Sequence, residues 1–139
     1  MKHPVATGFA LLTLLTMHAV LIARDPHAIE QDSDVALAQP GPHDGGGNTT
    51  GYTFFADQEN LNLVFKKREL HPGAAIGYHP HDKDEIYYVL SGTGELTMNG
   101  VVSTVGPGTA ILTRPGDSHG LRQVGEQDLV IFIVYEQQD

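Results

Sequence analysis

Cysteine is absent from the 139 residues. That excludes disulfides, thiolate nucleophiles, iron–sulfur clusters and cysteine-ligated zinc, so any metal must be held by His, Asp and Glu. Basic residues are scarce: 8 Lys and Arg stand against 17 Asp and Glu, a formal net charge of -9. Nucleic acid is thereby excluded as the main partner, because affinity for phosphate backbones comes from clustered Lys and Arg. The one basic cluster, Lys66-Lys67-Arg68, lies in strand-like sequence and reads as a solvated edge. A 3.6-residue apolar period sustained over three turns is missing, which argues against long amphipathic helices. No internal repeat, Ser/His/Asp nucleophile motif, phosphate loop or dinucleotide fingerprint is found. In contrast, histidine is abundant at 8, and 16 Gly with 8 Pro imply many turns between short strands.

The only long apolar run is Val5–Ala23, preceded by Met1, Lys2 and His3. A positive end followed by an apolar stretch is the order of a secretory signal peptide, and about 20 apolar residues also suffice to span a bilayer. Residues 1–23 therefore read as a signal peptide or anchor. Export to the periplasm or outside follows if Met1 is the true start, with no stable membrane partner after processing. A cytoplasmic protein follows if Met17 is the start. Absence of a twin Arg argues against the Tat route. Residues 24–51 contain three Pro, four Asp and Gly45-Gly46-Gly47-Asn48, with few apolar anchors. They read as a flexible linker in which His27 and His43 are solvated.

From Tyr52 the texture changes, and residues 52–139 read as one all-β domain. Strands are expected at Leu61–Leu70, Ile86–Leu90, Glu95–Met98, Val101–Val105, Thr109–Thr113 and Leu129–Tyr135, the last with both faces covered. Asn99-Gly100 between two such runs signals a hairpin, because both central residues of a type I′ turn need positive φ. Met98, Ile111, Leu112, Leu129, Ile131 and Ile133 are the expected packing residues. His71, before Pro72, is expected to be exposed. So small a domain gains from pairing, and a homodimer is expected.

Chemistry concentrates in two segments. In the first, Gly73 leads to His79, His81, Glu85 and Gly92. Residues two apart on a strand share a face, so the imidazoles of His79 and His81 can meet one ion. The polar connector Asp82-Lys83-Asp84 lets the chain bend, so that Glu85 opens the next strand facing the same point. In the second, Gly108 leads to Gly116 and His119. Three imidazoles and one carboxylate suit one divalent transition metal, Fe, Mn, Ni, Cu or Zn, and leave positions free on a six-coordinate ion. Strand alternation puts Tyr87 on the face of Glu85, where it can contact substrate or fill the barrel. Gln123 can hydrogen-bond behind His119. Arg114 can bind a substrate carboxylate in a two-pronged manner. Lys66 and Arg68 share one strand face, inward or outward.

These residues resemble the cupin family. Its first motif, G-x5-H-x-H-x3-E-x6-G, is met by Gly73, His79, His81, Glu85 and Gly92. Its second, G-x5-P-x-G-x2-H-x3-N, is met by Gly108, Gly116 and His119, with Arg114 in place of proline and Gln123 in place of asparagine. The resemblance runs from about Leu63 to Tyr135. It implies a double-stranded β-helix, or jelly-roll barrel, often dimeric, with metal ligands at His79, His81, Glu85 and His119. The implied function is that of a mononuclear-metal protein acting on a small organic substrate, with dioxygenase-type chemistry the leading expectation. Metal-dependent isomerisation or cyclisation, binding of a small molecule without turnover, and a purely structural ion are the alternatives.

Overall fold

The computed structural model describes residues 28–137. The apolar run, Met17 and His27 lie outside them. Elements follow in the order α1 (Asp32–Val35), β1 (Ala36–Pro40), β2 (Asn48–Phe54), β3 (Leu63–Leu70), β4 (Ala75–Pro80), β5 (Glu85–Ser91), β6 (Thr93–Met98), β7 (Val101–Val105), β8 (Ala110–Thr113), β9 (Ser118–Val124) and β10 (Leu129–Glu136). Two antiparallel sheets result: six strands in the order β1-β2-β3-β10-β5-β8, and four in the order β4-β9-β6-β7. Among the described residues no helix is long and apolar enough to cross a membrane.

Local chemistry accounts for the turns. Asn99 has φ 49° and Gly100 φ 80°, so the β6–β7 hairpin takes the double left-handed turn that an Asn-Gly pair favours. Alternation accounts for the faces. In β5, Glu85, Tyr87 and Val89 point inward while Ile86, Tyr88 and Leu90 are exposed. The core lies between the sheets: Leu70, Val89, Leu129 and Ile131 from one meet Ile76, Leu96 and Leu121 from the other. Each of these side chains contributes roughly 1.5–3 kcal/mol by leaving water.

Several expectations are corrected. Residues 28–51 are not a linker throughout, because they hold α1, β1 and the start of β2, and β2 crosses the expected boundary at 52. This edge is held by polar contacts rather than an apolar face, so it gave no hydrophobic period: Thr49 is buried and donates to the Gln39 carbonyl at 3.1 Å. The basic cluster is no solvated edge, since β3 runs between β2 and β10. Lys67 is buried against the Tyr52 ring, 3.9 Å from its centroid, and pairs with Asp32. Lys66 and Arg68 point the other way, into the cavity described below. Leu112 is exposed, because alternation on β8 turns Ile111 and Thr113 inward instead. The outer face of β10 is half-buried rather than covered, with the Phe132 ring tilted against Phe65, centroids 5.0 Å apart. His71 is half-buried, its Nδ1 3.1 Å from Asp128 Oδ2 and its Nε2 3.1 Å from Thr50 Oγ1.

Candidate metal centre

Strand pairing builds the site. His79 of β4 lies directly opposite His119 of β9, beyond a register shift that follows Ile76. The chain then extends the ladder by one step: His81 N–H donates to the Asp117 carbonyl at 2.8 Å, and Gly116 N–H donates to the His81 carbonyl at 2.9 Å. Residues 82–84 cross to the other sheet, where Glu85 begins β5 opposite Thr113 and Tyr135. Three histidines from one sheet thus meet a carboxylate from the other at one end of the barrel.

The donor atoms of His79, His81 and His119 lie within 4.8 Å of one another. His81 Nε2 and His119 Nε2 are 3.2 Å apart. Glu85 Oε2 is 3.5 Å from the former and 3.6 Å from the latter. Two of the rings are oriented from behind. His79 Nδ1 is 2.8 Å from the Gly77 carbonyl. A carbonyl only accepts, so Nδ1 carries a proton and Nε2 is the ring nitrogen left to hold an ion. His119 Nδ1 is 2.6 Å from Thr113 Oγ1, a buried contact that anchors the ring with Nε2 facing the cluster. The Tyr87 hydroxyl lies 3.2 Å from His119 Nε2.

Burial governs the charges. Desolvation, reinforced by the neighbouring His81 and His79, pushes His119 down to about 3, so it is neutral. His81 is lowered by burial, then by its neighbours His79 and His43. Desolvation pushes Glu85 up to about 7, opposed by the Tyr87 hydroxyl and by Lys66 and Lys83. Tyr87 is raised well above the usual phenol range, chiefly by burial and then by Glu85. Glu85 Oε2 is buried with no hydrogen-bond partner. Buried polar atoms are nearly always paired, and this one faces the nitrogens of two neutral imidazoles. A cation among the four groups would satisfy all of them. Three imidazoles and one carboxylate with no thiolate fit a divalent transition ion.

The cluster opens into a cavity of about 280 Å³, lined among others by His43, Lys66, Arg68, Lys83 and Tyr87. Of the auxiliary residues expected at the site, Tyr87 is present. Arg114 is not: it sits in the exposed turn after β8, its N–H bonded to Asp117 Oδ2 at 2.9 Å, and it lines no part of the cavity. Nor does Gln123 reach the histidines. Its buried side chain accepts from Gly73 N–H at 2.9 Å and donates to the carbonyls of Gly125 and Gln127 at 2.9 and 2.7 Å. It ties two turns together. Two residues were missed. Arg68 is the arginine of the cavity, and the shared strand face with Lys66 was the available signal. His43, exposed but not free, stacks on His79 with ring centroids 3.5 Å apart. Nothing in its spacing foretold this, because a nonlocal contact positions it: Gly77 N–H donates to the Pro42 carbonyl at 2.9 Å. A Cβ on Gly77 would come within 1.8 Å of the His43 carbonyl, so only glycine admits the loop.

Residues 67–135 match the family model of the Cupin domain. The chain is therefore a member of the cupin family through this segment, which contains all four convergent side chains. Among curated proteins it is 35% identical over 76 residues to the oxalate-binding protein of Thermotoga maritima, spanning 54% of this chain and 63% of that protein. It is 32% identical over 68 residues to the 5-nitrosalicylic acid 1,2-dioxygenase of a Bradyrhizobium species, 48% of this chain but 32% of the enzyme. The chain thus spans less than two thirds of either relative. In fold it is similar to the Thermotoga maritima protein described as a predicted oxalate decarboxylase, with a TM-score of 0.73 at 24% identity, covering 80% of this chain and 100% of that one. It is also similar to the polyketide cyclase RemF of Streptomyces resistomycificus, with a TM-score of 0.67 at 24% identity over 81% and 80% of the two chains.

Proposed function

We propose that His79, His81, Glu85 and His119 hold one divalent transition metal and that the chain acts on a small organic substrate by dioxygenase-type chemistry. The orphaned Glu85 Oε2, facing two neutral imidazoles at the mouth of a small-molecule cavity, carries this reading. The ion, when bound, supplies Lewis-acid or redox chemistry. The residues around it do the rest. Gly77 and Thr113 fix the rings of His79 and His119, Ile76 and Ile133 form apolar wall, and the Tyr87 hydroxyl stands within hydrogen-bond reach of the cluster. The partial match to the nitrosalicylate dioxygenase supports this reading.

A second reading is binding without turnover, and the match to the oxalate-binding protein favours it. Oxygen-electrode measurements on the iron-loaded chain with a panel of small organic acids separate the two. The dioxygenase reading expects substrate-dependent oxygen uptake, reduced by orders of magnitude in Glu85→Gln with the fold retained. Saturable binding with no oxygen uptake establishes the second reading instead. Conversion of substrate without oxygen uptake points to isomerisation or cyclisation.

A further inference from the structure

The cavity collects positive charge on a chain whose formal net charge is -9. Lys66, Arg68 and Lys83 all line it, and none forms an ion pair among the described residues, whereas Lys67 and Arg122 on other surfaces do. Neutral groups hold the cavity cations instead. Lys66 donates to the Tyr135 hydroxyl at 2.9 Å, and Lys83 lies 5.1 Å from the centroid of the same ring. Arg68 donates to Thr49 Oγ1 at 2.8 Å and to Gln39 Oε1 at 3.1 Å. A guanidinium has five donors, so these two bonds leave others free. Burial works against its charge, and among the described residues no carboxylate pairs with it. Lys66 and Lys83 act on Glu85; Arg68 is not among the charges that do.

We infer that the cavity admits small organic carboxylates, with the carboxylate held by Arg68 and the guanidinium held in place by Gln39 and Thr49 of the β1–β2 hairpin. The hairpin lies outside the segment 67–135 that defines the family. Its chemistry is specific to the purpose. Thr49 Oγ1 accepts from Arg68 and donates to the Gln39 carbonyl, so one hydroxyl ties the guanidinium to β1. Gly51 leaves the room: a Cβ there would lie 2.7 Å from Gln39 Oε1 and 3.3 Å from an Arg68 nitrogen. A planar fork with free donors beside a metal site suits an oxygen anion better than a neutral ligand, because charge-assisted bonds are about twice as strong as neutral ones. Gln39 and Thr49 are positioning residues here. The inference deepens the metal-dependent reading above and rests on it for the ion that shares the cavity.

The test is calorimetric titration of the metal-loaded full chain with malonate and benzoate, each compared with its amide. Wild type is expected to bind at least one of the acids about tenfold or more tightly than the amide, and Arg68→Gln to lose that preference with metal stoichiometry unchanged. Gln39→Ala is expected to weaken the acid about threefold while leaving amide binding and metal content alone, a pattern that general destabilisation does not give. Acid and amide bound alike, neither acid bound, or Arg68→Gln binding the acids as wild type does would overturn the inference. Should Arg68→Gln not fold, Arg68→Lys decides, since it keeps charge without the fork: an undiminished preference overturns the inference. Failure of the two readings is distinguishable. A chain that takes up no divalent metal yet keeps an Arg68-dependent preference for acids defeats the metal reading alone. Normal metal uptake with no Arg68 dependence defeats this one alone.

Discussion

At the scale of single residues, burial keeps Glu85 and His119 from their ordinary protonation. In the metal-free protein this has a signed effect on stability. Glu85 sits at about 7 against an ordinary 4.5, so between those values the folded chain holds a proton that the unfolded chain has released. Its contribution therefore falls as pH rises from 4.5 to 7. His119 sits at about 3 against an ordinary 6.5, so the unfolded chain binds the extra proton and stability falls as pH drops from 6.5 to 3. The two oppose one another between pH 4.5 and 6.5. Glu85→Gln removes the first effect alone. Urea unfolding of EDTA-treated protein is expected to show the variant more stable than wild type at pH 8, by on the order of 1–3 kcal/mol, with the gap closing near pH 5. Equal stability at pH 8 would show that Glu85 is not held against its charge. Thr113→Val addresses the other support, since valine keeps the shape and loses the 2.6 Å contact to His119 Nδ1. Metal affinity measured by chelator competition is expected to drop roughly 10- to 100-fold while the fold persists. Unchanged affinity would mean that packing alone orients the ring.

At the scale of elements, legibility followed locality. The β6–β7 hairpin was readable because the Asn99-Gly100 pair itself dictates the turn, and β7 falls on Val101–Val105 as expected. Alternation along β5 placed Glu85 and Tyr87 on one face, as the structure does. The β1–β2 hairpin was not readable, because its stabilising contacts run to β3 and β4 through Arg68, Thr49 and the loop at His43, and none of these leaves a period in the chain. The guanidinium of Arg114 and the place of Gln123 four residues beyond His119 suggest the site, but Arg114 sits in the exposed turn, and Gln123, on the same face of β9 as His119, lies too far along the strand to reach the cluster. Gln123 supplies a clean check. Gln123→Ala removes the three hydrogen bonds by which one buried side chain ties two turns together, and a loss of about 2–4 kcal/mol in thermal or urea unfolding is expected with metal affinity within twofold of wild type. A selective loss of metal without loss of stability would restore it to the site.

At the scale of the whole molecule, an acidic chain turns Lys66, Arg68 and Lys83 toward its cavity and part of its apolar surface outward. Ile86 and Leu112 face each other across β5 and β8, and with Tyr88 and Leu90 they form an exposed apolar surface. That surface supports the expected homodimer. Sedimentation velocity at micromolar concentration is expected to show a dimer, and a monomer under those conditions would contradict it. The two sheets also meet at one point where three imidazoles and a carboxylate converge. Elemental analysis of the purified chain, alongside its His81→Ala and His119→Ala variants, tests that meeting most directly. The expected result is one divalent transition metal per folded wild-type chain and loss of most of it in each variant. A wild-type chain that takes up no such metal when offered it, or variants that bind as much as wild type, would contradict it.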